Sequence, residues 1–183
     1  MGFSQYHFVT RWRLHGTPEE IFALLTRPEE FPRWWGAVYL EATEVQSGDT
    51  NGVGRSFHFK TKGWLPYRFR WDSIVTEVVH PQRLVMRSTG DLPGRGSWTL
   101  DGDSHFTDIL FDWEVAAAKP LLRYLSVFLK PIFKANHRWA MKQGRIAMEL
   151  ELKRRREQTV HAVAVANHHA EAVGMQHLTP PAA

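Results

Sequence analysis

Among the side chains of this sequence that could carry acid–base or hydrogen-bonding chemistry, three, Asn136, His137 and Gln143, fall on one helical stretch. A half-buried imidazole can act as acid or base near neutral pH. His137 therefore leads the catalytic candidates, with Tyr67 and Asn136 as groups for proton transfer or enolate stabilisation. Thr107 and Arg87 are further polar groups that could fix a ligand's orientation. A lone histidine on an apolar helix face is more commonly a structural residue bonded to a neighbouring carbonyl, because buried polar groups have partners. His137 is carried under both readings. The sequence has no Gly-x-Ser-x-Gly elbow, no His-Glu-x-x-His helix and no Gly-x-x-x-x-Gly-Lys loop. Zero cysteines exclude thiol catalysis, disulfides and Cys-based zinc sites. Asp72 and Asp112 invite a carboxylate pair, but strand alternation places both on the outer surface. His168 and His169 lack further ligands at metal spacing, so no metal and no cofactor are expected.

The elements that must position these groups begin with the helix itself. From Pro131 to Arg156 the period is helical, with Arg138, Lys142, Arg145 and Glu149 on one side. Phe133, Asn136, Ala140, Gly144 and Ala147 fall opposite, with His137 and Met141 at the margin. A helix packed into a solid core presents branched aliphatics, because close packing needs volume. A contact face this small predicts a hollow protein.

Upstream, residues 6–15 alternate apolar and polar as a strand. Thr17-Pro18-Glu19-Glu20 supplies an N-cap, a first-turn proline and a capping-box glutamate for a short helix. Arg27-Pro28-Glu29-Glu30 starts a second, which ends at Phe31 to Gly36. Six further strands are expected over 37–46, 53–62, 66–79, 83–89, 94–101 and 105–115, with turn chemistry at Gly48 to Gly52 and Asp101-Gly102-Asp103. Connections this short imply an antiparallel meander, and the long helix is the element large enough to cover its inner face.

Alternation then selects the wall. Thr107, Ile109, Phe111 and Trp113 share one face of their strand, as do Phe57 and Phe59, and Tyr67, Phe69 and Trp71. Met86 and Trp98 join them unless a bulge reverses the parity. Trp35, at the end of the second short helix, joins this wall, and Phe133, Asn136, His137, Ala140, Met141, Gln143 and Gly144 face it from the long helix. Any single aromatic is most simply core; the set, opposed to a small helix face, points to a ligand cavity.

Composition narrows the partners. At 183 residues the chain is expected to form a domain over 1–156, followed by an Ala- and His-containing tail over 157–183 that is disordered or loosely helical. The net charge is +4, but Lys153 to Arg156 ends a helical pattern where cations offset the macrodipole, and the other basic residues are scattered, so no nucleic acid is expected. With no spanning segment and no signal peptide, the chain reads as soluble and cytoplasmic. Residues 120–130 are apolar on nearly all sides, and are read as a helical turn kinked by Pro131 or as a lip for transient membrane contact.

Thr17-Pro18-Glu19-Glu20-Ile21-Phe22 followed by Pro32-Arg33-Trp34-Trp35 resembles the opening of the polyketide cyclase/dehydrase and lipid-transport group of the SRPBCC (START-like, Bet v 1-like) superfamily. Leu65-Pro66-Tyr67, Gly90-Asp91-Leu92 with Gly94 and Trp98, Thr107 to Trp113, and Asn136-His137 with Met141 and Gly144 extend the likeness from about Tyr6 to Leu152. The resemblance implies an α+β helix-grip fold: a seven-stranded antiparallel sheet curled around a long C-terminal helix, with two short helices after the first strand. It also implies a hydrophobic ligand such as a lipid, polyketide, quinone or aromatic compound. Two functions follow, a carrier or sensor that makes no bond, and a cyclase or dehydratase using His137, Tyr67 or Asn136.

Overall fold

The computed structural model describes residues 4–117 and 126–176. Strand β1 (Ser4–His15) leads into helix α1 (Pro18–Leu25), a 3-10 turn (Pro28–Glu30) and the single-turn helix α2 (Phe31–Trp34). Six strands follow: β2 (Tyr39–Gln46), β3 (Ser56–Lys62), β4 (Arg68–Val79), β5 (Arg83–Gly90), β6 (Gly94–Gly102) and β7 (Phe106–Ala117). Helix α3 (Ser126–Gln176) is last. All seven strands form one antiparallel sheet in the order β1-β7-β6-β5-β4-β3-β2, so the meander from β2 to β7 is completed by β1 returning beside β7. This is the expected helix-grip arrangement.

Local chemistry explains the boundaries. The Thr17 hydroxyl accepts the Glu20 amide at 3.3 Å while the Glu20 carboxylate accepts the Thr17 amide at 3.0 Å, a complete capping box. In the β2–β3 connection the Asp49 carboxylate accepts the amides of Asn51 and Val53, both at 2.9 Å. Gly48, Gly52 and Gly54 there adopt positive φ, which residues with a Cβ rarely tolerate. The Asp103 carboxylate accepts the amides of Phe106 and His105 in the β6–β7 turn, and these bonds hold it below the usual carboxylate range.

The chain divides into two compact units, Met1–Glu149 and Leu150–Ala183. The first contains the sheet, the short helices and the start of α3. Its helix packs through Phe133, Met141, Gly144 and Met148, a spacing of three to eight residues that keeps one face inward. Within the second unit Glu151 accepts hydrogen bonds from Arg154 at 2.7 Å and Arg155 at 2.8 Å.

The helix runs beyond both of the ends expected for it. It begins at Ser126 and runs through Pro131, where a kink was expected. A proline this close to the start removes few intrahelical bonds. At the other end α3 continues past Arg156 to Gln176, because Ala, Glu and Gln are good helix formers even without an apolar face to bury. Most of the apolar 120–130 segment, and the end of the chain from residue 177, lie outside the described residues.

Candidate functional site

Between the sheet and the first turns of α3 lies a cavity of about 210 Å³. Of the residues expected on its wall, Phe57 and Phe59 of β3, Phe69 and Trp71 of β4, Met86 of β5 and Trp98 of β6 border it. So do Phe111 and Trp113 of β7, Trp35 after α2, and Phe133, Asn136, His137, Ala140 and Met141 of α3. Alternation carries the sheet side: in β4 the residues at 69, 71 and 73 are buried and those between them exposed. A register shift between Val75 and Glu77 then moves the inward position to Val78. The bulge lies in β4, so the parity of Met86 and Trp98 stands. The rings interlock, with Trp98 stacked on Phe111 at 4.0 Å and Phe59 tilted on Trp71 at 4.6 Å between centroids.

Six expected residues do not border the cavity. Tyr67 sits in the loop before β4, its ring edge-on to Phe69. Thr107 is fully buried because its hydroxyl donates to the Gly16 carbonyl at 2.6 Å, tying β7 to the β1–α1 turn. Ile109 is core, opposite Trp12 and Leu100 in the ladder. Gln143 lies half-buried beside the contact face. At Gly144 the space is already taken: an added Cβ would collide with the Trp35 indole, whose N–H donates to the Ala140 carbonyl at 3.3 Å. The small helix face therefore seats Trp35 as well as bordering the cavity at Ala140. Arg87 is exposed, on the face opposite Met86.

Sequence reasoning missed wall residues from β1 and the β2 end. Tyr6 and Phe8 border the cavity, and the alternation Tyr6, Phe8, Thr10, Trp12, Leu14 was a readable signal for them. Tyr39, Ser73 and Arg55 also border it, and no periodicity singled out Tyr39 at the start of its strand.

Most polar groups on the wall are engaged within the protein. The Trp71 indole donates to the Thr61 hydroxyl at 3.1 Å, and the Ser73 hydroxyl meets the Met86 sulfur at 3.7 Å. Asn136 Oδ1 accepts the amides of Trp64 and Leu65 at 3.0 and 3.4 Å, fastening the β3–β4 loop to α3. Arg55 is a clamp at one end: it donates to both oxygens of Glu44 (3.0 and 2.9 Å), to Glu29 (3.3 Å) and to the Thr26 carbonyl (2.7 Å). These carboxylates, Glu44 first, raise its pKa further.

His137 stacks on Phe8 at 4.1 Å and tilts on Trp113 at 5.6 Å. Its Nε2 lies 3.4 Å from the Thr10 hydroxyl, and burial lowers the imidazole pKa to about 4. It is neutral at pH 7 and a weak base. Asp72 and Asp112 lie on the outer surface, where they meet His58 at 2.8 Å and His7 at 3.1 Å.

Comparison with family models gives a match to the Activator of Hsp90 ATPase homolog 1-like protein family over residues 15–124, more than half of the chain. The chain belongs to that family. Its fold is shared with several solved structures. A START superfamily protein from Mycobacterium smegmatis superposes with TM-score 0.66 at 10% identity, covering 81% of this chain and 97% of its own. The Zhui aromatase/cyclase from Streptomyces gives TM-score 0.65 at 11% identity, with 82% and 95% covered. Norcoclaurine synthase from Thalictrum, solved with a transition-state analogue, gives 0.57 at 10% identity, with 85% and 99% covered. At such identities the likeness is one of fold. No curated protein sequence matches the chain. Among the described residues no helix is long and apolar enough to cross a membrane.

Proposed function

We propose that the protein binds a hydrophobic small molecule in this cavity and acts as a carrier or sensor, making and breaking no bond. The observation that carries this reading is the cavity itself, about 210 Å³ walled by interlocked aromatic rings whose polar neighbours are mostly satisfied. Such a wall offers apolar area and shape, the usual basis of small-molecule affinity. Superfamily members of known shape include an aromatase/cyclase and a START protein, both consistent with an internal ligand.

The cyclase or dehydratase reading is the weaker one on geometry. Its three candidate groups are not assembled as a proton-transfer unit: Tyr67 is off the wall, Asn136 holds a loop, and His137 is a neutral imidazole with a depressed pKa.

Mass spectrometry of the organic extract of freshly purified protein tests the proposal against an Ala140→Phe variant, which places a ring where the wall has a methyl group. A single apolar compound near one equivalent, lost in the variant, is the expected outcome. A compound retained equally by the variant would place binding elsewhere.

A further inference from the structure

Two phenols on the cavity wall, Tyr6 and Tyr39, have no hydrogen-bond partner for their hydroxyls among the described residues, and of the two it is Tyr39 that keeps its hydroxyl accessible. Tyr39 borders the cavity, with its ring held by Phe31 at 4.9 Å, Trp35 at 5.0 Å and Phe59 at 5.4 Å. Its backbone amide donates to the Trp35 carbonyl at 3.0 Å, which anchors the chain beneath the ring. Among the described residues its hydroxyl has no hydrogen-bond partner. The hydroxyl is not sealed away either: the side-chain polar atoms that are both shut off and unpartnered are Tyr6 Oη and Trp34 Nε1, and Tyr39 Oη is not one of them. Tyr39 is half-buried, and burial raises the phenol's pKa above its ordinary value.

Charge sets a second limit on the ligand. Arg55, the cation that borders the cavity at the other polar position, already serves Glu44, Glu29 and the Thr26 carbonyl, and Lys62 is exposed at the rim. Lys62 is solvent-exposed, where an ion pair returns little, so an anionic group carried inside would lose its hydration with little compensation. An uncharged acceptor would lose little and gain the phenol O–H. His137 adds a neutral ring to the same wall, committed to Thr10.

Resting on the carrier reading above, we infer that the ligand is an uncharged, largely apolar molecule bearing a carbonyl or ether oxygen, and that Tyr39 Oη–H donates a hydrogen bond to that oxygen. The phenol acts as a specificity-determining donor. It selects oxygen-bearing ligands over hydrocarbons of the same shape.

Fluorene and 9-fluorenone share a planar three-ring body and differ by one carbonyl oxygen, so calorimetric titration of both into wild type, Tyr39→Phe and Tyr6→Phe isolates the bond. Tyr39→Phe is expected to weaken fluorenone binding roughly three- to tenfold, the range of one net hydrogen bond, while fluorene binding changes less than twofold. The infrared carbonyl band of bound fluorenone should lie lower in wild type than in Tyr39→Phe. Retained fluorene binding shows that the variant's wall is intact. Equal losses for the two probes, or a selective loss in Tyr6→Phe instead, would overturn the assignment while leaving the carrier reading standing. If wild type binds neither probe, both fall.

Discussion

Residue environment decides what His137 can do. Its ring is packed between Phe8 and Trp113, and burial lowers its pKa from 6.5 to about 4. In the unfolded chain the imidazole takes up a proton near its ordinary pKa, but the folded protein resists it until the pH is near 4. Between these values the unfolded state binds more protons. Stability contributed here is thus fully present above about pH 6.5 and is lost as pH falls, with a slope of up to about 1.4 kcal/mol per pH unit. Denaturant unfolding of wild type and His137→Phe over pH 4–7 checks this: the variant should lose less stability on acidification, and parallel curves would show that His137 titrates normally. The identity of His137 as a notable residue was legible in its position on the helix, but its neutrality was not. The stacking partner Phe8 comes from β1, about 130 positions away, and no local pattern links the two.

At the scale of the element, the boundaries of α1 and of most strands were readable because each has its own local chemistry: the Thr17–Glu20 box, the Asp49 and Asp103 turns, and alternation within β3, β4 and β7. The helix face was read less well. Its small residues suggest a void, yet Gly144 is small because the Trp35 indole lies against it. A helix pattern reports that something must approach closely; whether that is a ligand or a tryptophan depends on the partner element. Gly144→Ala tests this packing. In an exposed helix the change would stabilise by about 1 kcal/mol, but here overpacking against Trp35 costs about 1–3 kcal/mol. A net loss of stability in urea unfolding is expected, and a gain would show that Trp35 can yield.

For the whole molecule, the strand order and the closing of β1 on β7 turn alternating sequences into one aromatic-lined cavity. The fold was legible because a meander followed by one long helix has few ways to bury its apolar faces. The bottom of the cavity was not, since Thr107 and Ile109 share the parity of Phe111 but sit where the turn after β1 fills the space. Parity tells which face a residue is on, and not how far along the strand the core is solid.

The central claim is that this cavity takes an apolar ligand. Titration of wild type and Ala140→Phe with N-phenyl-1-naphthylamine, an uncharged dye that brightens in apolar surroundings, tests it most directly. The account predicts saturable binding of one equivalent to wild type and at least tenfold weaker binding to the variant, with both proteins equally folded by far-ultraviolet circular dichroism. Identical titrations for the two proteins, or no saturable binding to wild type, would contradict it.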